Sequence, residues 1–188
     1  MNKIGIYGGS FDPIHHGHLI LAREALEQLG LDKIIFVPAA ASPFKGGAVA
    51  PSEARLEMLH TAIADESHLA VDDCELRRGP PSYSIDTVQE IRARESNAEL
   101  VWLIGEDHVV DLPKWHRIDE LKRLLSFAVL DRSGSDAVHD YPVICRKIDI
   151  SGTEIRNRVA RGQSIRYLVP REVEEIIHRQ NLYREAGQ

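Results

Sequence analysis

Cysteine is scarce in this sequence. Of 188 residues only Cys74 and Cys145 carry thiols, far apart and in no Cys-x-x-Cys or zinc-ribbon spacing. Nothing therefore points to a disulfide-stapled or zinc-built fold, and a reducing compartment is expected. No apolar run approaches the roughly 20 residues needed to span a bilayer. The sequence enters a strand-like run at once, with no basic segment and long apolar stretch ahead of it, so a cytoplasmic protein without a membrane partner is expected. Basic excess is missing too: 23 Lys and Arg stand against 29 Asp and Glu, a formal charge of −6. That balance argues against a general nucleic-acid binder, although a local cationic cluster would suffice for a small anionic ligand. Two phosphate-binding fingerprints are absent as well. No Gly-x-x-x-x-Gly-Lys-Ser/Thr occurs, and Gly5, Gly8 and Gly9 do not form Gly-x-Gly-x-x-Gly. No nucleophile–base arrangement is recognisable either.

What is present reads as one globular domain, 1–188, with 43% hydrophobic and 28% charged residues. Lys3–Tyr7 and Lys33–Val37 read as buried strands around a helix from His18 to Leu29, with Leu19, Ala22, Leu26 and Leu29 on one face and Gly30 as its stop. Near-continuous apolar strands joined by a helix indicate a parallel sheet covered on both faces. Residues 38–51, rich in Ala, Pro and Gly, read as a loop long enough to be functional. A helix follows from Pro51-Ser52 with Leu56, Leu59 and Ile63 inward. Leu69–Leu76 is strand-like, Arg77–Ser82 a turn, and Ser84 or a neighbour caps a helix carrying Ile85, Val88 and Ile91. Leu100–Ile104 is a core strand ending at Gly105, followed by a short helix and a second one over Ile118–Leu125. Phe127–Leu130 and Val143–Ile150 complete the strands around a polar connection, and Thr153–Arg161 and Pro170–Arg179 close the chain as helices. The expected architecture is α/β: a doubly wound, Rossmann-like parallel sheet in a single domain with closing C-terminal helices. In such a sheet ligands sit beyond the C-terminal strand ends.

The first strand empties into Gly8-Gly9-Ser10-Phe11-Asp12-Pro13-Ile14-His15-His16-Gly17-His18. Small residues let backbone N–H groups approach a phosphate, and a helix N-terminus adds its dipole. His15 and His18 flank Gly17 so that both imidazoles could donate to one phosphoryl group. A tight turn opened by Asp12-Pro13 with solvated histidines is the plainer alternative. A metal centre would need further ligands, and none stands at a suggestive spacing.

The same stretch closely resembles the signature of the His-x-Gly-His nucleotidylyltransferase superfamily, in particular its bacterial nicotinate-nucleotide adenylyltransferases. Four further stations follow in that family's order. Lys45, in Ser42-Pro43-Phe44-Lys45, matches a lysine that faces substrate phosphate, with Phe44 where relatives often have histidine. Ser82-Tyr83-Ser84-Ile85-Asp86-Thr87 resembles the family's Tyr-Thr/Ser-Ile-Asp-Thr segment; the resemblance places Thr87 by the nicotinate carboxylate, with Tyr83 nearby. Gly105-Glu106-Asp107 and Leu112-Pro113-Lys114-Trp115 match Gly-x-Asp and Leu-x-x-Trp. There the acid suits ribose hydroxyls and the indole a pyridine ring, with His116 where relatives commonly have tyrosine. Ile150-Ser151-Gly152-Thr153-Glu154-Ile155-Arg156 matches Ile-Ser-Ser-Thr-x-Ile-Arg, with Gly152 for the second serine.

The resemblance implies adenylyl transfer from ATP to nicotinate mononucleotide, giving nicotinate adenine dinucleotide and pyrophosphate. It implies His15 and His18 as catalytic. Gly8, Gly9, Ser10, Phe11, Ser151, Thr153 and Arg156 would join them on ATP, and Lys45, Tyr83, Thr87, Gly105, Asp107 and Trp115 would hold the nicotinate nucleotide. Mg2+ would arrive with the ATP phosphates, and no metal site built from side chains is expected. A nicotinamide mononucleotide or other phosphorylated acceptor, a non-catalytic nucleotide-binding module and a metal-dependent hydrolase are the alternatives. No nucleic acid or membrane partner is expected, and assembly with further copies of the chain is left open.

Overall fold

The computed structural model describes residues 2–40, 49–134 and 139–184. Its strands are β1 (Lys3–Gly9), β2 (Lys33–Pro38), β3 (Leu69–Val71), β4 (Glu99–Gly105), β5 (Ser126–Asp131) and β6 (Val143–Cys145). They form one sheet in the order β3-β2-β1-β4-β5-β6, and all five pairings are parallel. The helices are α1 (His16–Leu29), α2 (Ser52–Ala62), α3 (Cys74–Arg78), α4 (Ser84–Arg94), α5 (Ile118–Leu124), α6 (Gly152–Ala160) and α7 (Arg171–Arg179), with a 3-10 segment over Glu106–Lys114. This is the expected doubly wound sheet. The strand order reverses between β1 and β4, which opens a crevice at their carboxyl ends.

The central strand shows why the sheet is covered twice. Along β1, Ile4 and Ile6 point into a core built with α3, α4 and α5. Tyr7 points into the opposite core, built with α1, α2, α6 and α7. Side chains alternate across a strand, so a strand buried on both sides must be apolar along its length, as β1, β2 and β4 are beyond their opening residues Lys3, Lys33 and Glu99. The closing helices α6 and α7 belong to the Tyr7 side through Ile155, Val159, Val173 and Ile177.

Several elements differ from the sequence reading. Only Leu69–Val71 is strand; Asp72 takes the Cys74 N–H at 3.0 Å and the chain turns into α3, so Arg77 and Arg78 end a helix instead of lying in a turn. β6 stops at Cys145 instead of Ile150. α1 starts at His16, and its buried residues include Leu21, Ala22, Ala25 and Leu26, leaving Leu19 and Leu29 half-buried at the edge of the stripe. α4 is preceded by Tyr83, with no side-chain cap. In α2 the buried face includes Arg55 beside Ala54, Met58 and Leu59. No helix among the described residues is long and apolar enough to cross a membrane.

Candidate active site

The site grows from the end of β1. A Cβ at Gly8 would lie 2.9 Å from the indole of Trp102, a ring buried in the core that holds Ile4 and Ile6. Glycine is what lets β1 end flush against β4. The chain then turns through Phe11 at φ 45, a left-handed conformation that a non-glycine residue adopts only where its surroundings hold it. Here they do: the Phe11 ring meets Tyr7 at 5.4 Å, Phe36 at 5.4 Å and His18 at 5.1 Å. His15 precedes α1 in extended geometry. Its backbone N–H donates to Nδ1 of His18 at 3.3 Å, and the two imidazoles stack with centroids 3.7 Å apart and 24° between planes. Since Nδ1 of His18 accepts, the proton of its neutral ring sits on Nε2.

Burial lowers both histidines. His15 is only 1% exposed, and burial, with the charges of Arg132 and His16, brings its pKa down to about 3. Burial and the neighbouring His15 and Arg132 place His18 well below its ordinary value. Both rings are therefore neutral N–H donors near pH 7. The unfolded chain, with histidine near 6.5, binds protons that the native state refuses. Stability is therefore expected to fall as the pH drops from about 6.5 toward 3, by up to about 1.4 kcal/mol per pH unit per histidine. His15→Asn should flatten that slope in urea titrations run from pH 7 to 5; an unchanged slope would place the acid sensitivity elsewhere.

Two buried side chains brace the turn. Asp12, 5% exposed, accepts the N–H of Val49 at 2.6 Å and of Ala50 at 3.1 Å, and the hydroxyl of Tyr183 at 2.6 Å. Arg55, 1% exposed, donates from Nη1 to the carbonyls of Ser10 at 2.7 Å and Ala39 at 2.9 Å, tying the loop after β1 to the loop after β2. The last motif closes on the same point. Ser151 caps α6 by accepting the Glu154 N–H at 3.2 Å. Arg156 donates from Nη1 to the Asp12 carbonyl at 2.6 Å and from Nη2 to the Thr153 hydroxyl at 3.1 Å. A Cβ at Gly152 would stand 3.1 Å from that carbonyl and 3.2 Å from Nη1 of Arg156, so a side chain there would crowd the junction.

The other half of the site lies beyond β4. The Tyr83 ring stands 4.5 Å from His116, and Trp115 sits edge-on to Trp102 at 5.9 Å and Phe127 at 6.4 Å. Gly105 opens the 3-10 segment that holds Asp107, whose charge is felt at the buried Tyr7 hydroxyl together with that of Arg132. Thr87 is fully buried. Its hydroxyl donates to Glu75 at 2.7 Å and accepts from Arg78 at 2.9 Å, so that side chain is committed inside the fold. Burial raises the Glu75 pKa, while hydrogen bonds from Thr87 and Ser82 and the charge of Arg78 offset part of that rise. Ser82 in turn accepts the Ala40 N–H at 3.1 Å, which links the loop after β2 to the start of α4.

The structure thus brings Gly8, Gly9, Ser10, Phe11, His15 and His18 together with Ser151, Thr153 and Arg156. It sets Tyr83, Gly105, Asp107 and Trp115 on the far side of the reversal point. Lys45, with Ser42 and Phe44, lies outside the described residues. Asp12, Arg55, Glu75, Arg132 and Tyr183 were missed as site residues. Two of them offered a signal: Asp12 stands inside the Gly8–His18 motif, and Arg132 directly follows the end of β5. Asp131 before it is held down to about 2: burial alone would raise it, but hydrogen bonds from Ser133 and Gly134 outweigh that.

The cytidylyltransferase-like family matches residues 6–158. A probable nicotinate-nucleotide adenylyltransferase of Geobacillus thermodenitrificans is 44% identical over 187 residues, covering 97% of this chain and 87% of that protein. One of Methylacidiphilum infernorum is 44% identical over 188 residues, covering 96% and 92%. Among solved structures, a nicotinic acid mononucleotide adenylyltransferase of Plasmodium falciparum complexed with NaAD has the same fold. It aligns with a TM-score of 0.81 at 20% identity over 97% of this chain and 98% of that one.

Proposed function

The chain belongs to the cytidylyltransferase-like family, among its nicotinate-nucleotide adenylyltransferases, and from that premise we propose how its residues divide the work. The enzyme transfers the adenylyl group of ATP to nicotinate mononucleotide, giving nicotinate adenine dinucleotide and pyrophosphate in NAD biosynthesis. A phosphate oxygen of the mononucleotide attacks the α-phosphorus, and the bond to the bridging oxygen breaks to release pyrophosphate. The attacking oxygen is already anionic, so no proton needs removing. Catalysis then reduces to in-line placement and charge stabilisation.

The stacked pair His15–His18 at the start of α1 carries this reading. Two neutral rings present N–H donors where the helix dipole also favours an anion. A docked polyphosphate would pull their pKa values upward, because an adjacent anion favours the imidazolium. Gly8, Gly9, Ser10 and Phe11 line the ATP side with Ser151, Thr153 and Arg156, and Arg132 adds a cation there. Tyr83, Gly105, Asp107, Trp115 and the backbone near Thr87 take the nicotinate nucleotide, with Lys45 toward its phosphate. Among the described residues no three His, Cys, Asp or Glu side chains gather as a metal cage. Mg2+ would come with the ATP phosphates and supply charge neutralisation there. We place the enzyme in the cytoplasm.

The test is pyrophosphate release from pure protein with ATP, Mg2+ and either pyridine mononucleotide. The nicotinate form should exceed the nicotinamide form in kcat/KM by about tenfold or more, the worth of one well-made buried hydrogen bond to a charged group. Chelating the Mg2+ should stop the reaction. A preference for the nicotinamide form would overturn the acceptor assignment.

A further inference from the structure

We propose that Tyr183, 171 residues downstream, is a positioning residue for adenylyl transfer: its hydroxyl holds the Asp12 carboxylate, and through Asp12 it sets the turn bearing His15 and the guanidinium of Arg156. The inference rests on the site reading above. Four segments meet at Asp12. Oδ1 accepts the Tyr183 hydroxyl at 2.6 Å and the Ala50 N–H at 3.1 Å, Oδ2 accepts the Val49 N–H at 2.6 Å, and its carbonyl accepts Nη1 of Arg156 at 2.6 Å. Without the tyrosine, the carboxylate keeps, among the described residues, the backbone N–H groups of Val49 and Ala50, and the junction keeps its link to α6 only through the Asp12 carbonyl and Arg156. Asp12 stands three residues before His15, with the fully buried Ile14 between them.

The segment that presents Tyr183 is built to hold one pose. Asn181 and Tyr183 both lie at positive φ, 52 and 62. Such left-handed residues cost on the order of 1–2 kcal/mol each and persist where the surroundings over-determine them. Tyr183 is 9% exposed. Burial, then the bond and charge of Asp12, push its hydroxyl far above the ordinary tyrosine value, so it remains a donor. In-line displacement is sensitive to sub-ångström placement, and Arg156 reaches the phosphates from the same junction that Tyr183 anchors.

Tyr183→Phe in the full-length enzyme removes one oxygen and keeps the ring. It is expected to lower kcat roughly tenfold, short of the about 10²-fold that a full ångström of misplacement costs. KM for ATP should rise while KM for the mononucleotide stays near the parent's. The melting midpoint should move by only a few degrees, about what one hydrogen bond is worth in a domain of this size. Combining it with Arg156→Lys should lose less than the product of the single effects, since both act through Asp12. Asp12→Asn breaks the same junction from its other side and should give the same kcat and KM signature. A folded Tyr183→Phe or Asp12→Asn enzyme with unchanged kcat and KM well below its melting midpoint overturns the tether, because stability alone would then account for the bond. If His18→Ala retains turnover, the site reading fails and the tether with it. If His18→Ala loses turnover while Tyr183→Phe keeps both constants, only the tether fails.

Discussion

Replacing His18 by alanine should lower kcat by about 10²-fold or more, the typical loss when one preorganised donor is removed from a site of developing negative charge. The expectation follows from where its two nitrogens are committed. Nδ1 is used on the His15 N–H, which leaves Nε2–H as the group available to a phosphoryl oxygen. Because that donor matters most as charge develops, kcat and kcat/KM should fall together, with KM for ATP little changed. His18 also packs edge-on to Phe11 and Tyr7, so truncation should cost about 1–2 kcal/mol of stability. That is too little to unfold a domain whose stability is of order 5–15 kcal/mol. His18→Asn can restore an acceptor near Nδ1 but no donor at Nε2; it should recover the melting midpoint and not the rate. Turnover within a few-fold of the parent's in either variant would remove His18 from the catalytic assignment.

Arg55→Met should lower the unfolding free energy by about 3 kcal/mol, the scale seen when a buried charge-assisted hydrogen-bond set is broken. Nη1 of Arg55 donates to two carbonyls belonging to different loops, Ser10 and Ala39, while Nη2 reaches the Ser52 hydroxyl at 3.4 Å. Methionine can fill the channel but leaves both carbonyls short of a donor. Arg55→Lys should rescue little, because the lysine ammonium ends one bond short of where Nη1 meets both carbonyls and is the more costly group to desolvate. Urea titration checks both: the midpoint should fall at unchanged slope. Activity should fall as well, since Ser10 belongs to the turn that faces ATP. A loss below about 1 kcal/mol would mean that other contacts hold the two loops together.

The sheet was legible because its inner strands are apolar at nearly every position, a pattern that few other arrangements produce. The edges were less so. The strand reading runs on past Val71 to Leu76, yet after Asp72 the chain leaves the sheet as its carboxylate takes the Cys74 N–H, a local contest that hydrophobic period does not register. The site divides in the same way. Its motifs are contiguous strings, so Gly8–His18 and Ser151–Arg156 could be recognised one by one. What joins them is non-local. Arg55 reads as the solvated side of an amphipathic helix until two carbonyls from elsewhere neutralise its burial. Nothing in the sequence pairs Thr87 with Glu75, itself read as part of a strand, yet Glu75 takes its hydroxyl. Single-sequence pattern has no means of pairing residues that stand 12, 45 or 171 positions apart.

The junction at Asp12 also orders events in time. Translation proceeds at about 5–20 residues per second, so the histidine turn leaves the ribosome long before its final partners exist. Arg156 comes 144 residues later and Tyr183 171 residues later. β1 to β5 can pair as they emerge, but the turn acquires these two anchors only after all five strands have been made. A chain clipped before Arg156 would carry both histidines of the turn without the junction that seats them.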